Sequence, residues 1–181
     1  MSDVNLQEKD QPRRGRFFIL LFVAGALVAL DQWTKWLVRR NIPLNTDWLP
    51  EALEWLAPYA RLRHIQNSGV SFGMFQDGNT ILTVLVLLVV AGILYYISRM
   101  ESENIWMWTA AGLYLGGAVG NLIDRLTLGG VTDFVSVGNF YIFNLADASI
   151  NISVAMLLVL FWLAERKPSE HSESKNPEGN P

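Results

Sequence analysis

The stretch TILTVLVLLVVAGILYYI, residues 80–97, decides the fold class because it runs for 18 residues without a charged side chain. A helix of this length rises about 1.5 Å per residue, or about 27 Å in all. That length is close to the ~30 Å hydrocarbon core of a bilayer. A buried helix of a soluble protein rarely continues so far without a charge, so the stretch predicts a membrane-spanning helix.

Comparable apolar runs lie on both sides of this stretch. The run before it has no charge until Asp31 and Lys35, near its end. The run that follows is free of charge, and the last is interrupted only by Ser149, Asn151 and Ser153 near its start. We therefore expect an all-α membrane protein with four transmembrane helices. The expected spans cover residues 17–38, 80–97, 106–123 and 148–164.

The composition excludes several kinds of chemistry. The chain has 181 residues, of which 51% are hydrophobic and 17% charged, and its formal net charge is −3. This balance offers no basic surface for nucleic acid. Without cysteine, the chain has no disulfide, thiol nucleophile or thiolate metal site, and it cannot itself be a lipoprotein. Only His64 and His171 are present, which is too few for a histidine-rich metal site, so we expect no cofactor and no metal.

The polar ends predict the orientation of the protein in the membrane. Residues 1–16 are expected to form a cytoplasmic tail, and residues 165–181 a disordered cytoplasmic tail. The basic residues Arg13, Arg14 and Arg16 precede the first span, as in a signal peptide, but no small-x-small cleavage site follows. We interpret the first span as a retained helix whose arginines stay in the cytoplasm. Four crossings then return the carboxyl end to the cytoplasm.

The segments at residues 39–79 and 124–147 share the outer face of the membrane. Residues 48–55 have apolar side chains at helical spacing and are expected at the interface, whereas residues 60–66 alternate as in a strand. Residues 131–137 and 140–146 are strand-like, and Gly138-Asn139 between them is typical of a two-residue hairpin turn. We therefore expect a small extracytoplasmic β-sheet, with Val137 facing Phe140 and Asp133 opposite Asn144.

Four carboxylates are candidate functional groups because each lies near the outer end of a predicted span. They are Asp31, Asp124, Asp133 and Asp147. Asp31 and Lys35 are four residues apart on one helix, which favours a structural ion pair over direct chemistry. Asn121, Asp124 and Arg125 share one face at the end of the third span, where hydrogen bonding between helix ends is the simpler interpretation.

Two patterns of small residues allow close approach. Gly112, Gly116 and Gly120 recur every four residues and predict a smooth stripe against another helix. Asn67-Ser68-Gly69 is typical of a turn. The same residues could also bind a substrate: Asn67 could form a hydrogen bond to the backbone of an extended substrate, and Gly69 could allow that backbone to approach closely. Both interpretations stay open.

Asp133 and Asp147 are the most informative pair. Taken singly, Asp147 could be the N-cap of the fourth helix and Asp133 a solvated strand residue. Brought together by the hairpin, two carboxyl groups cannot both ionise near neutral pH, so they share a proton. Such a pair supplies a base to activate water and an acid to protonate a leaving amine, which is aspartic peptidase chemistry. A proton-coupled transporter or channel, or a non-catalytic assembly factor, are the alternatives.

Five motifs, in order along the chain, resemble those of the lipoprotein signal peptidases (signal peptidase II), a family of bacterial membrane aspartic peptidases. The matching residues are Asp31-Gln32-x-Thr34-Lys35, Asn67-x-Gly69-x-x-Phe72, Gly116-Gly117-Ala118-x-Gly120-Asn121-x-x-Asp124-Arg125, Val131-x-Asp133-Phe134 and Phe143-Asn144-x-Ala146-Asp147-x-x-Ile150. They extend over most of residues 17–164, which we take as the peptidase core.

The resemblance implies an activity and a site. Asp133 and Asp147 would be the catalytic pair, and an outer sheet would cradle the substrate. The substrate would be a diacylglyceryl-modified prolipoprotein in the lipid of a bacterial inner membrane, cleaved on the amino side of the lipidated cysteine. The protein is expected to act as a monomer. Residues that would bind substrate or support the site are Asp31, Lys35, Asn67, Gly69, Asn121, Asp124, Arg125 and Asn144.

Overall fold

The computed structural model describes residues 11–69, 78–100, 104–138 and 141–166. Within these ranges the chain forms four helices, namely α1 (Gln11–Asn41), α2 (Gly78–Arg99), α3 (Ile105–Leu128) and α4 (Leu145–Glu165). It also forms four strands, namely β1 (Asp47–Trp48), β2 (Ala60–Asn67), β3 (Val131–Val137) and β4 (Tyr141–Phe143). A short 3-10 helix, Glu51–Leu56, lies between β1 and β2. Each predicted apolar run falls inside one helix.

Three of the described helices are long and apolar enough to cross a membrane. The candidate spans are Gly15–Asn41, Asn79–Arg99 and Leu145–Glu165. Large apolar side chains project from them, and Phe22, Leu88 and Leu158 are each at least 65% exposed. Exposed apolar faces of this kind are stable only against lipid, so the chain is an integral membrane protein. The fourth predicted span, α3, is not among the three, so four transmembrane helices are not confirmed.

Helix α3 lies at the centre of the bundle and contacts α1, α2 and α4. Its glycines permit this because a Cβ at Gly112 would lie 2.9 Å from the Leu20 carbonyl oxygen of α1. A Cβ at Gly117 would lie 2.6 Å from the Ala146 carbonyl oxygen of α4. A Cβ at Gly116 or Gly120 would also meet α1, at 2.9 Å from the Ala24 carbonyl oxygen and 2.6 Å from Asp31 Oδ2, so the predicted stripe is confirmed; Gly117 lies outside the stripe and faces α4.

Gly116→Ala is expected to destabilise the protein, because the added Cβ would lie 2.9 Å from the Ala24 carbonyl oxygen and 3.1 Å from the Leu27 Cβ. Crowding of this kind in a packed interior costs about 1–3 kcal/mol. The free energy of unfolding in detergent measures the effect. Gly92→Ala on α2 is the matched control, since a Cβ there would meet nothing within 4 Å. Equal stability of the two variants would contradict the packing described.

The strands form one antiparallel sheet in the order β1-β2-β3-β4. Strand β3 starts just after Gly129, whose positive φ of 71° ends α3 in the left-handed conformation. Phe134 of β3 packs with Val38 of α1 and with Ile42 just after that helix, which holds the sheet on the ends of the helices. The predicted strands at residues 60–66 and 131–137 are confirmed. The expected interface segment, residues 48–55, is divided between β1 and the 3-10 helix.

The predicted hairpin register is wrong by one residue. Val137 pairs with Tyr141, not with Phe140, so three residues separate the paired positions. Strand β4 also ends at Phe143, whereas residues 140–146 were expected to be strand. The cause is local: Asn144 caps α4, and a capping residue cannot continue the ladder.

Parts of several predictions fall outside the described residues. They include residues 1–10 and 167–181 of the two tails, residues 70–73 after Gly69, and Asn139 of the turn. Residues 11–16 of the predicted amino-terminal tail form the first turns of α1, which begins at Gln11.

Candidate active site

Asp133 lies on β3 and is only 3% exposed, so it is not the solvated strand residue of the simpler interpretation. Its carboxylate accepts two hydrogen bonds from side-chain amides. Asn144 Nδ2 lies 2.7 Å from Oδ1, and Asn67 Nδ2 lies 2.9 Å from Oδ2. Both oxygens are therefore held by donors from neighbouring elements, one from β2 and one from the start of α4.

Asp147 is at the third position of α4 and forms a capping box with Asn144. The Asp147 backbone N–H donates to Asn144 Oδ1 over 2.9 Å, and the Asn144 backbone N–H donates to Asp147 Oδ2 over 3.2 Å. The N-cap is thus Asn144, and the prediction that Asp147 could be the N-cap is wrong. The capping box leaves Asp147 Oδ1 facing α3, where Asn121 Nδ2 donates to it over 2.8 Å.

Asn144 contacts both carboxyl groups. Its side chain donates to Asp133, and its backbone N–H donates to Asp147. The same Nδ2 also lies 3.1 Å from Asn121 Oδ1, which joins the two asparagines. The predicted meeting of Asp133 and Asp147 around one amide-bearing residue is therefore present, despite the register shift.

The environment of Asp133 alters its proton affinity. Burial raises its pKa to about 6, the hydrogen bond from Asn67 opposes the rise, and the negative charge of Asp147 adds to it. A carboxyl group that titrates near neutral pH can both accept and release a proton under physiological conditions. The arrangement can therefore perform general acid–base chemistry with carboxyl groups alone.

Lys35 of α1 is fully buried beneath these residues. Its Nζ lies 2.8 Å from Asp31 Oδ2 and 2.9 Å from Asn121 Oδ1, so the predicted pairing with Asp31 is confirmed. Lys35 Nζ also lies 3.4 Å from Asp124 Oδ2. Because an ammonium group only donates, it turns the carbonyl oxygen of Asn121 toward itself and the amide nitrogen toward Asp147.

Asp31 and Asp124 connect the helices to the rest of the site. Asp31 Oδ1 accepts from the Ala146 backbone N–H over 3.0 Å, which ties α1 to the first turn of α4. Asp124 Oδ2 accepts from the Thr132 backbone N–H over 2.9 Å, which ties α3 to β3. Both carboxylates are fully buried, and each joins two elements of the fold through a backbone N–H.

The remaining predicted residues lie farther from the carboxyl pair. Gly69 has a φ of 75° and donates its backbone N–H to Asn67 Oδ1 over 2.8 Å. Gly69 thereby orients the Asn67 amide toward Asp133. Arg125 Nη1 lies 3.4 Å from the Asn121 carbonyl oxygen of its own helix. Among the described contacts, Arg125 has no hydrogen bond to Asp133 or Asp147.

Gln32, Thr132 and Arg39 belong to this network although they were not predicted as site residues. Gln32 Nε2 donates to Asp124 Oδ1 and to the Gly120 carbonyl oxygen, each over 3.1 Å. Arg39 Nη1 donates to Thr132 Oγ1 over 3.0 Å. The available signal was a polar side chain inside an apolar run for Gln32, and adjacency to Asp133 for Thr132. No three His, Cys, Asp or Glu side chains in the described ranges come together as metal ligands.

Comparison with known proteins identifies similar chains. The sequence model of a family described as signal peptidase (SPase) II matches residues 23–163. The lipoprotein signal peptidase of Symbiobacterium thermophilum is 36% identical over 81% of this chain and 96% of its own length. That of Mesorhizobium japonicum is 40% identical over 84% of this chain and 89% of its own. A solved structure of a bacterial membrane enzyme has the same fold, with a TM-score of 0.73, 24% identity, and coverage of 83% of this chain and 92% of that one.

Proposed function

The chain belongs to the signal peptidase (SPase) II family, and on that premise we propose that Asp133 and Asp147 act as its catalytic pair. It is a peptidase that removes signal peptides from prolipoproteins. Family membership favours this activity over the transporter and assembly-factor alternatives. The remaining question is how its side chains carry out the hydrolysis.

The observation that carries the proposal is that Asn144 donates a hydrogen bond to each carboxyl group, 2.7 Å to Asp133 and 3.2 Å to Asp147. Both carboxyl groups are thus held by one asparagine, and the negative charge of Asp147 raises the pKa of Asp133, so one proton shared by the pair is the proposed starting state. The ionised carboxylate takes a proton from water as the water oxygen attacks the scissile carbonyl carbon. The protonated partner supplies the proton that the leaving amine needs, after which the pair regains its starting state.

We propose that the substrate carries a diacylglyceryl group on its lipobox cysteine and is cut on the amino side of that residue. Support comes from the family membership and from the location of the site at the ends of apolar helices, where acyl chains can stay in lipid. Mass measurement of the products from a purified enzyme and a synthetic lipidated precursor tests this directly. Cleavage at another bond, or equal cleavage of the unlipidated precursor, would contradict it.

We propose that α3 is the fourth span. It begins six residues after α2 ends and leads into β3, so it must return from the far end of α2 to the sheet. Its 24 residues reach about 36 Å, which is enough to cross the hydrocarbon core. The core at residues 17–164 then has both termini in the cytoplasm of a bacterial cell, with the sheet outside the inner membrane. Because α1, β2, α3, β3 and α4 of one chain supply the site, a monomer suffices.

We propose that the neighbouring residues position the pair or bind the substrate. Asn67 and Asn144 orient Asp133, and Asn121 orients Asp147. Asp31, Lys35 and Asp124 hold the helix ends together below them. Arg125 has its guanidinium beside the site without bonding either carboxylate, which suits a role in binding the substrate, and Gly69 orients Asn67.

Asn67→Ala is expected to move the alkaline limb of the pH profile of kcat/KM to higher pH. The hydrogen bond from Asn67 holds the pKa of Asp133 down, so its removal raises that pKa and keeps the shared proton on the pair to higher pH. For wild type the limb should lie near pH 6 or above, given the pKa of about 6 for Asp133. Gln66→Ala is the control, because the Gln66 amide bonds the Leu128 carbonyl oxygen instead. A shift toward acid, or an equal shift in the control, would contradict the assignment.

A further inference from the structure

Three helices end in the same pair of side chains, an aromatic residue followed four positions later by arginine. The pairs are Trp36–Arg40 on α1, Tyr95–Arg99 on α2, and Trp162 of α4 with Arg166, the residue that caps the end of that helix. In each the guanidinium carbon lies over the ring, at 5.2, 5.6 and 3.7 Å from its centroid respectively. None of these residues takes part in the site described above.

The surroundings of the pairs indicate lipid. The rings of Trp36, Tyr95 and Trp162 are 46%, 65% and 50% exposed, and each continues the exposed apolar face of its helix. Aromatic rings favour the boundary between hydrocarbon and headgroups, and arginines extend from there toward water. No Asp or Glu in the described ranges forms an ion pair with these arginines. Stacking on a ring leaves the N–H groups at the edge of the guanidinium free for an anion.

We propose that the three pairs bind the phosphate groups of membrane phospholipids. A guanidinium presents parallel N–H donors that match two oxygens of a phosphate, and the phosphate is the anion that lies at the level of these rings. The acyl chains of the same lipid then lie along the exposed apolar face below. The charge, the geometry and the apolar surroundings all fit one occupant, a phospholipid with its headgroup at the end of the helix.

The pairs mark both faces of the bilayer and so set the depth of the enzyme. Trp36–Arg40 lies at the end of α1 that leads into the sheet, whereas Tyr95–Arg99 and Trp162–Arg166 lie at the opposite ends of α2 and α4. Arg166 follows Asp147 by 19 residues, or about 28 Å along the axis. With Arg166 held at one headgroup layer, Asp147 is held at the boundary of the other.

Retention of lipid by the full-length protein tests the proposal. Detergent-purified protein is titrated with phosphatidylglycerol, and bound lipids are counted by native mass spectrometry. The double variant Arg99→Gln/Arg166→Gln should bind about 25-fold more weakly, since each arginine at an anionic surface contributes roughly fivefold. The double variant Arg61→Gln/Arg63→Gln removes the same charge from the sheet, where both arginines pair with Asp47, and should retain lipid as wild type does.

Further measurements distinguish phospholipid binding by the aromatic–arginine pairs from simpler explanations. Trp162→Leu keeps Arg166 but removes the ring, and it should also weaken retention. Excess inorganic phosphate should not displace the lipid, because the acyl chains contribute to binding; displacement would indicate a site for free anions. Equal loss in both double variants would mean attraction by net charge alone. No loss in Arg99→Gln/Arg166→Gln would overturn the proposal, and none of these outcomes depends on the catalytic role of Asp133.

Discussion

Asp133→Asn should cleave a lipidated precursor at least ~100-fold more slowly than wild type, the low end of the contribution of an acid–base group. Asparagine has the same shape as aspartate but cannot exchange a proton with water or with the leaving amine. The loss should appear in kcat, because the side chain is proposed to act in the chemical step and not in binding. Single-turnover cleavage, followed by mass spectrometry, measures the chemical step, and binding of the uncleaved precursor measures substrate affinity; only the first should change.

The controls for this variant address folding. The new side-chain NH2 of Asp133→Asn must face the NH2 of Asn67 or of Asn144, so one hydrogen bond is lost at a cost of roughly 1–3 kcal/mol. The protein should still fold and insert. Asp47→Asn is the matched control, since Asp47 lies on the same sheet but is 38% exposed and paired with Arg61 and Arg63. It should cleave normally. Turnover near the wild-type rate in Asp133→Asn or in the analogous Asp147→Asn would contradict the proposal that the two aspartates are the catalytic pair.

Lys35→Met should destabilise the protein by about 3–5 kcal/mol, the usual cost of removing one partner from a buried ion pair. Lys35 and Asp31 are fully buried, so the variant leaves Asp31 without a cation and leaves Asp124 with only Arg39, whose Nη1 lies 3.7 Å from Asp124 Oδ1. It also removes the donor that orients Asn121. Unfolding by a denaturing detergent measures the change in free energy.

A more exposed ion pair of similar N–O distance provides the comparison for Lys35. Arg61 Nη1 lies 2.9 Å from Asp47 Oδ2, but the two side chains are 32% and 38% exposed. Arg61→Met should therefore cost only about 0–1 kcal/mol. Addition of Asp31→Asn to Lys35→Met should restore part of the stability. If Lys35→Met is as mild as Arg61→Met, the buried network does not hold the helix ends together.

The helices and two of the strands could be predicted because their signals are local. A run of 18 apolar residues allows few structures. The strand-like run at residues 131–137 stops at the turn residue Gly138, so the predicted bounds are those observed for β3. The glycine stripe of α3 was also readable, since glycine every fourth residue has one common use in membrane helices. In each case the sequence signal lies within a single helix or a single strand.

The register of the β3–β4 hairpin and the N-cap of α4 could not be predicted from local sequence because two signals compete there. Gly138-Asn139 favours a two-residue turn, but Asn144 must start α4, and the need to satisfy the first N–H groups of that helix prevailed. Gln32 was missed because its partners, Asp124 and the Gly120 carbonyl, are about 90 residues away in sequence. Contacts at that separation depend on how α1 and α3 dock, which no local pattern specifies.

The capping box that joins Asn144 and Asp147 has a consequence for inhibition. The Asp147 carboxylate, proposed to take part in the chemistry, also belongs to the capping box of α4, and its partner Asn144 both caps the helix and orients Asp133. An inhibitor that binds these side chains should therefore select few resistant variants. A substitution that weakens inhibitor binding at Asn144 or Asp147 also removes part of the capping box and so destabilises the start of α4.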